Sequence, residues 1–98
     1  MNIALLGYGK MGRIIEKIAN DRKHDVILKI DFYNQQDLTV ENLRKADVAI
    51  EFSTPGSVLS NIMHCFDAGV PVIVGTTGWY ENLPEIKRQC LQGDHTLL

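Results

Sequence analysis

The chain has 98 residues, 45% hydrophobic and 22% charged, which is enough apolar matter for the core of one domain and too much for a disordered chain. Ten Lys plus Arg against twelve Asp plus Glu give a net charge of -2, leaving no cationic surplus for a phosphate backbone, so nucleic acid is not an expected partner. The longest apolar run, Val70 to Val74, falls far short of the ~20 residues of a membrane span, and no secretion signal is visible; a soluble, cytoplasmic domain without a membrane partner is expected.

The elements alternate along the chain. Asn2 to Leu6 reads as a short buried strand ending at Gly7. Met11, Ile14, Ile15, Ile18 and Ala19 then recur at helical spacing as one apolar stripe, with Arg13, Glu16 and Lys17 on the wet face. Val26 to Ile30 is a second strand ending at Asp31, and Phe32 to Asp37 a polar loop. Thr39 caps a short helix through Ala46, and Val48 to Phe52 is a third strand. Thr54 as N-cap with Pro55 at the first helical position opens a helix whose stripe is Val58, Leu59, Ile62, Met63 and Phe66, stopped at Gly69. A fourth strand, Val70 to Val74, leads to Gly75-Thr76-Thr77-Gly78. A last helix starts near Leu83 with Ile86, Cys90 and Leu91 facing in, and Thr96 to Leu98 begins a fifth strand.

Strands that are apolar throughout and alternate with helices through short loops imply a parallel, doubly wound α/β sheet. Cys65 and Cys90 show no metal or disulfide spacing and read as small buried hydrophobes. His24, His64 and His95 suggest no metal set either, and His64 falls mid-helix as a surface or satisfied residue.

The chemistry lies where strands end. Gly7-Tyr8-Gly9-Lys10-Met11-Gly12 fits G-x-G-x-x-G directly between the first strand and the first helix. In that context Gly7 permits the sharp turn, Gly9 admits a pyrophosphate to the backbone, and Gly12 permits close packing of the helix. The helix N-terminus then holds the anion through free N–H groups, which is how an acidic protein binds an anionic cofactor. Asp31, 19 positions beyond Gly12 at the end of the second strand, suits the adenosine ribose hydroxyls and repels a 2′-phosphate. Phe32, Tyr33 and Asn34 offer no cation, so NADH is expected over NADPH; Lys29 on the same strand leaves use of both open. The third element is the pair of loops Phe52-Ser53-Thr54-Pro55 and Gly75-Thr76-Thr77-Gly78, which emerge at the same sheet edge. There Gly75 and Gly78 would let main chain approach a flat ring, with Thr76 and Thr77 offering polar groups to a nicotinamide and its ribose. Glu51 is out of place inside an apolar strand, and its reading is structural: it faces the sheet edge or meets a positive group.

Together Gly7 to Gly12, the segment Ala-Asp-Val-Ala-Ile-Glu-Phe-Ser-Thr-Pro at 46 to 55, and Gly-Thr-Thr-Gly-Trp at 75 to 79 resemble the dihydrodipicolinate reductases, over the whole chain. These are the 4-hydroxy-tetrahydrodipicolinate reductases of lysine and diaminopimelate biosynthesis. The resemblance implies a Rossmann-like nucleotide domain over residues 1-98, with four strands and the start of a fifth, cut before a second domain. It implies that Gly7, Tyr8, Gly9, Lys10, Met11 and Gly12 hold the pyrophosphate and Asp31 the ribose. Gly75, Thr76 and Thr77, with Phe52 and Ser53, would then approach the nicotinamide. The glycine loop is one residue shorter than the family's commoner form. The family's enzymes are considerably longer, and their second domain supplies the catalytic His and Lys, clamps the dicarboxylate substrate and builds a homotetramer. No catalytic residue is therefore assigned here, and the 98 residues alone are expected to bind NADH weakly, to turn over nothing, and to be marginally stable or self-associating through an uncovered edge. Two other readings stay open: a dinucleotide-binding redox sensor without catalysis, and the nucleotide domain of a homoserine or aspartate dehydrogenase.

Overall fold

The computed structural model describes residues 1–98. The elements follow in the order β1 (Asn2–Leu6), α1 (Lys10–Asp21), β2 (Asp25–Ile30), α2 (Val40–Leu43), β3 (Val48–Glu51), α3 (Val58–Ala68), β4 (Val72–Val74) and α4 (Leu83–Gln92). Every strand pair is parallel and the spatial order is β2-β1-β3-β4. The chain thus steps one way from β1 to β2 and the other way thereafter, and right-handed crossovers place α1 on one face and the remaining helices on the other. Leu97 pairs in parallel with Val72, so the chain starts a fifth strand beside β4. This is the doubly wound, Rossmann-like sheet that the alternating pattern predicts. No helix is long and apolar enough to cross a membrane.

Successive side chains of a strand point to opposite faces, so β1 divides its residues between two cores. Ala4 and Leu6 join Ile30, Leu43, Ala49, Val58, Ile62, Cys65, Phe66, Val72, Trp79 and Ile86 on the side of α2, α3 and α4. Ile3 and Leu5 meet Ala19 of α1, with Ile15, Val26, Val48 and Ile50 packed around them.

Several boundaries and faces differ from the sequence reading. In α1 only Gly12 and Ala19 are buried, while Met11, Ile14 and Ile18 of the expected stripe are exposed, because one helix lies alone over this half of the sheet. Phe32–Asp37 is a 3₁₀ turn rather than an irregular loop: Asp31 Oδ1 accepts from Phe32 N at 2.7 Å and Asn34 Oδ1 from Asp31 N at 2.6 Å, a reciprocal cap. Thr39 does cap α2, accepting from Asn42 N at 3.1 Å, but the helix ends at Leu43. α3 begins at Val58, not at Pro55. Thr54 instead heads a turn in which its carbonyl accepts from Ser57 N and Val58 N. Gly69 closes α3 in the left-handed conformation with φ 69°. Ile86 is buried in α4 and Cys90 half-buried, but Leu91 points away from the core and edges an apolar groove with Trp79, Leu83, Leu97 and Leu98. Both cysteines are free, and burial, reinforced by the Glu51 charge, pushes the Cys65 thiol up to about 12.

Candidate functional site

The carboxyl ends of β1, β2, β3 and β4 open on one edge, and two adjoining cavities of about 280 and 370 Å³ lie along it. Gly7, Tyr8, Gly9, Asp31, Phe52 and Ser53 line the first; Gly9, Lys10, Met11, Gly12, Phe52, Ser53, Gly75, Thr76 and Thr77 line the second. Of the binding residues picked from the sequence, all but Gly78 therefore line one cleft, whose two chambers share Gly9, Phe52 and Ser53.

The bend between β1 and α1 is built from main chain. Gly7 has φ 113°, a conformation that L side chains rarely adopt, and a Cβ there would overlap the Phe52 carbonyl. A Cβ on Gly12 would stand 2.6 Å from the Gly7 carbonyl oxygen, so the third glycine packs the helix against the loop itself. A Cβ on Gly9 would meet nothing within 4 Å: this position faces open cleft. The N–H groups of Gly9, Lys10, Met11 and Gly12 have no protein acceptor, and α1 has no side-chain cap. Free N–H donors at the positive end of a helix make a cradle for an anion.

Around that bend, Tyr8 donates to Glu16, and Lys29 Nζ pairs with Glu16 Oε2 at 2.9 Å. Arg13 and Lys29 both lie over the Tyr8 ring, at 5.2 and 5.0 Å from its centroid. The hydrogen bond to Glu16, helped by partial desolvation, raises the Tyr8 phenol above its usual range. The same bond, then that from Lys29, holds the Glu16 carboxyl below its own, and Glu16 in turn raises Lys29. Glu16 is thus a half-buried hub and not a wet-face charge.

At the first chamber's far end Asp31 commits Oδ1 to capping Phe32 N and leaves Oδ2 without a protein partner. No Lys or Arg lines this chamber. At the second chamber, the flat ring that Gly75 admits is the phenyl of Phe52, which a Cβ on Gly75 would overlap. That corrects the expectation that Gly75 is small for a ligand's sake. Gly78, with φ 85°, lies against Pro55 and lines neither chamber.

Glu51 is also corrected. It is fully buried and meets no cation: its carboxylate accepts from Ser53, from Asn61 Nδ2 at 2.8 Å and from Thr76 Oγ1 at 2.5 Å. The sequence reading missed Asn61, Ser57 and Gln35, which line the first chamber with Thr54 of the expected loop. Asn61 had a usable signal. It is a polar residue on the buried stripe of α3, and Glu51 is its counterpart in β3; two misplaced polar groups in neighbouring apolar elements imply each other.

A family model described as "Dihydrodipicolinate reductase, N-terminus" matches residues 1–92. The chain belongs to this family. It is 40% identical over 100 residues to the 4-hydroxy-tetrahydrodipicolinate reductase of Christiangramia forsetii, covering 100% of this chain and 40% of that protein. A reductase of the same name from Staphylococcus epidermidis is 33% identical over 89 residues, covering 85% of this chain and 36% of its own length. The chain thus spans about two-fifths of these curated relatives. Among solved structures, a dihydrodipicolinate reductase from Paenisporosarcina sp. TG-14 with dipicolinate bound superposes with a TM-score of 0.75 at 22% identity, covering 99% of this chain and 45% of that one. The protein CapF superposes with 0.72 at 16% identity, covering 99% of this chain and 30% of its own. At these identities the two structures speak for the fold.

Proposed function

We propose that residues 1–98 form the dinucleotide-binding domain of a reductase that reduces 4-hydroxy-tetrahydrodipicolinate to tetrahydrodipicolinate in the lysine and diaminopimelate route, with NADH as the preferred cofactor. The observation that carries this reading is the cleft itself: two chambers joined at Gly9, with four unpartnered N–H groups beside the junction. A pyrophosphate bridging two nucleosides needs that arrangement, with room on each side and donors between.

In this reading the amides of Gly9 to Gly12 grip the pyrophosphate, and the open face at Gly9 admits it. The free Oδ2 of Asp31 accepts from an adenosine ribose hydroxyl, and the loops that carry Ser53, Thr76 and Thr77 border the nicotinamide half. A bound nicotinamide supplies the hydride; the protein orients its ring and shields it from water. None of the three histidines lines either chamber, which supports a reading in which the chain contributes the cofactor site and no imidazole acid. Substrate capture, turnover and a tetrameric assembly belong, in this proposal, to a longer cytoplasmic parent.

The preference for NADH follows from charge. A 2′-phosphate would meet the Asp31 carboxylate in a chamber without a cation, and Lys29 is already paired with Glu16. Calorimetric titration should show NADH binding about tenfold more tightly than NADPH, and Asp31→Asn should shrink that ratio several-fold by weakening NADH and relieving NADPH. Equal affinities in the parent chain, or no heat from either cofactor, would overturn the reading.

A further inference from the structure

A carboxylate inside an apolar strand is a poor choice for stability alone, since an aliphatic side chain of similar volume would fill the same space without desolvating a charge. Glu51 lines neither chamber, yet three of its contacts are chamber residues. Thr76 Oγ1 donates to Oε1 at 2.5 Å, while Asn61 Nδ2 at 2.8 Å and the Ser53 hydroxyl donate to Oε2. The network closes on itself, because Thr76 Oγ1 accepts from Ser53 N at 2.8 Å and Asn61 Nδ2 also reaches Ser53 Oγ at 3.1 Å. One side chain at the end of β3 thereby ties the loop after β3, the loop after β4 and the first turns of α3.

The network also fixes polarity. A carboxylate accepts and does not donate, whereas each hydroxyl has one proton. With both protons directed at Glu51, Ser53 and Thr76 turn oxygen lone pairs elsewhere. Thr76 Oγ1 gives one lone pair to Ser53 N and Ser53 Oγ gives one to Asn61 Nδ2, so each keeps a second; Ser53 lines both chambers, and its hydroxyl is left as an acceptor there. Such a wall suits an N–H donor, which the carboxamide of a nicotinamide carries and ADP-ribose lacks.

We propose that Glu51 is a positioning residue for the nicotinamide half of the cofactor: from beneath the cleft, it sets the spacing of the Ser53 and Thr76 loops and the direction of their hydroxyl protons. The proposal rests on the dinucleotide reading above and adds that the two halves of the ligand depend on different residues.

The test compares NADH with ADP-ribose, which lacks the nicotinamide, by calorimetry on the 98-residue chain. Glu51→Leu should weaken NADH about tenfold, the equivalent of one lost hydrogen bond, and leave ADP-ribose unchanged. Glu51→Gln should give a smaller selective loss, and adding Asn61→Asp to it should recover NADH affinity: the exchanged amide and carboxylate re-form the network with the two Ser53 bonds reversed, so that Ser53 still donates one proton and accepts one. Equal losses for both ligands, no loss for either, or no recovery in the double variant would overturn the proposal. Should Glu51→Leu fail to fold, the single and double glutamine variants still decide it. A chain that binds ADP-ribose and NADH equally refutes the role of Glu51 while leaving a nucleotide site; a chain that binds neither refutes the dinucleotide reading and this proposal with it.

Discussion

Leu5 and Leu6 are neighbours in one strand, both essentially fully buried, and they belong to very different interiors. Leu6 sits in a cluster of 14 buried residues closed over by α2, α3 and α4, whereas Leu5 sits in a cluster of 3 beneath α1 alone. On the Leu5 side Ile73 of β4 is 40% exposed, and Met11, Ile14 and Ile18 of α1 are each nearly half exposed. The glycine bend stands at the top of that thinner side. The glycine bend is accordingly held less by bulk apolar packing beneath it than by tight main-chain contacts and by the end of β3.

The largest effect should come from truncating the two leucines. Leu6→Ala should cost about 3–5 kcal/mol in urea unfolding and Leu5→Ala about 2–3, since the thinner core relaxes more freely around the space left behind. Equal losses would erase the distinction between the faces. A second probe uses Cys65, inside the larger core, whose thiol stands at about 12 against an ordinary 9.0. A group that holds its proton longer when folded contributes fully below the lower value and loses that contribution as pH climbs from 9 toward 12. Unfolding midpoints should therefore fall with pH across that range, by a few kcal/mol at most, and Cys65→Ala should flatten this part of the profile. Smallest of all, Ile14→Gln and Ile18→Gln should change stability by no more than about 0.5 kcal/mol, because neither side chain is buried. A larger loss would show that the α1 flank is packed after all.

The sheet, its parallel order and most of the residues that line the cleft are legible in the chain because each depends on short-range signals: apolar runs, a glycine triplet between a strand and a helix, a carboxylate where β2 stops. What was illegible depends on partners remote in sequence. Periodicity marks Met11, Ile14 and Ile18 as a stripe but does not say whether anything faces it, and here only Gly12, Ile15 and Ala19 turn toward the sheet. Gly75 looks like ligand clearance until Phe52 is seen to occupy the space. Glu51 announces itself as anomalous in β3, but its partners Asn61 and Thr76 lie 10 and 25 positions away, and only the fold brings them together. Pro55 suggests a helix start, but the Thr54 turn comes first and the helix opens at Val58.

The contact of the Gly7 backbone with the Phe52 carbonyl has a dynamic consequence. Two chain segments that abut through peptide groups, without intervening side chains, have no rotamers with which to yield, so the floor of the cleft is rigid before anything enters it. Adjustment to a guest is left to the rim, chiefly the short 3₁₀ turn after Asp31. Amide exchange should accordingly be slow at Phe52, whose N–H is bonded to Leu6 O, and fast across Phe32 to Asp37, with addition of a dinucleotide slowing the second region and leaving the first as it was.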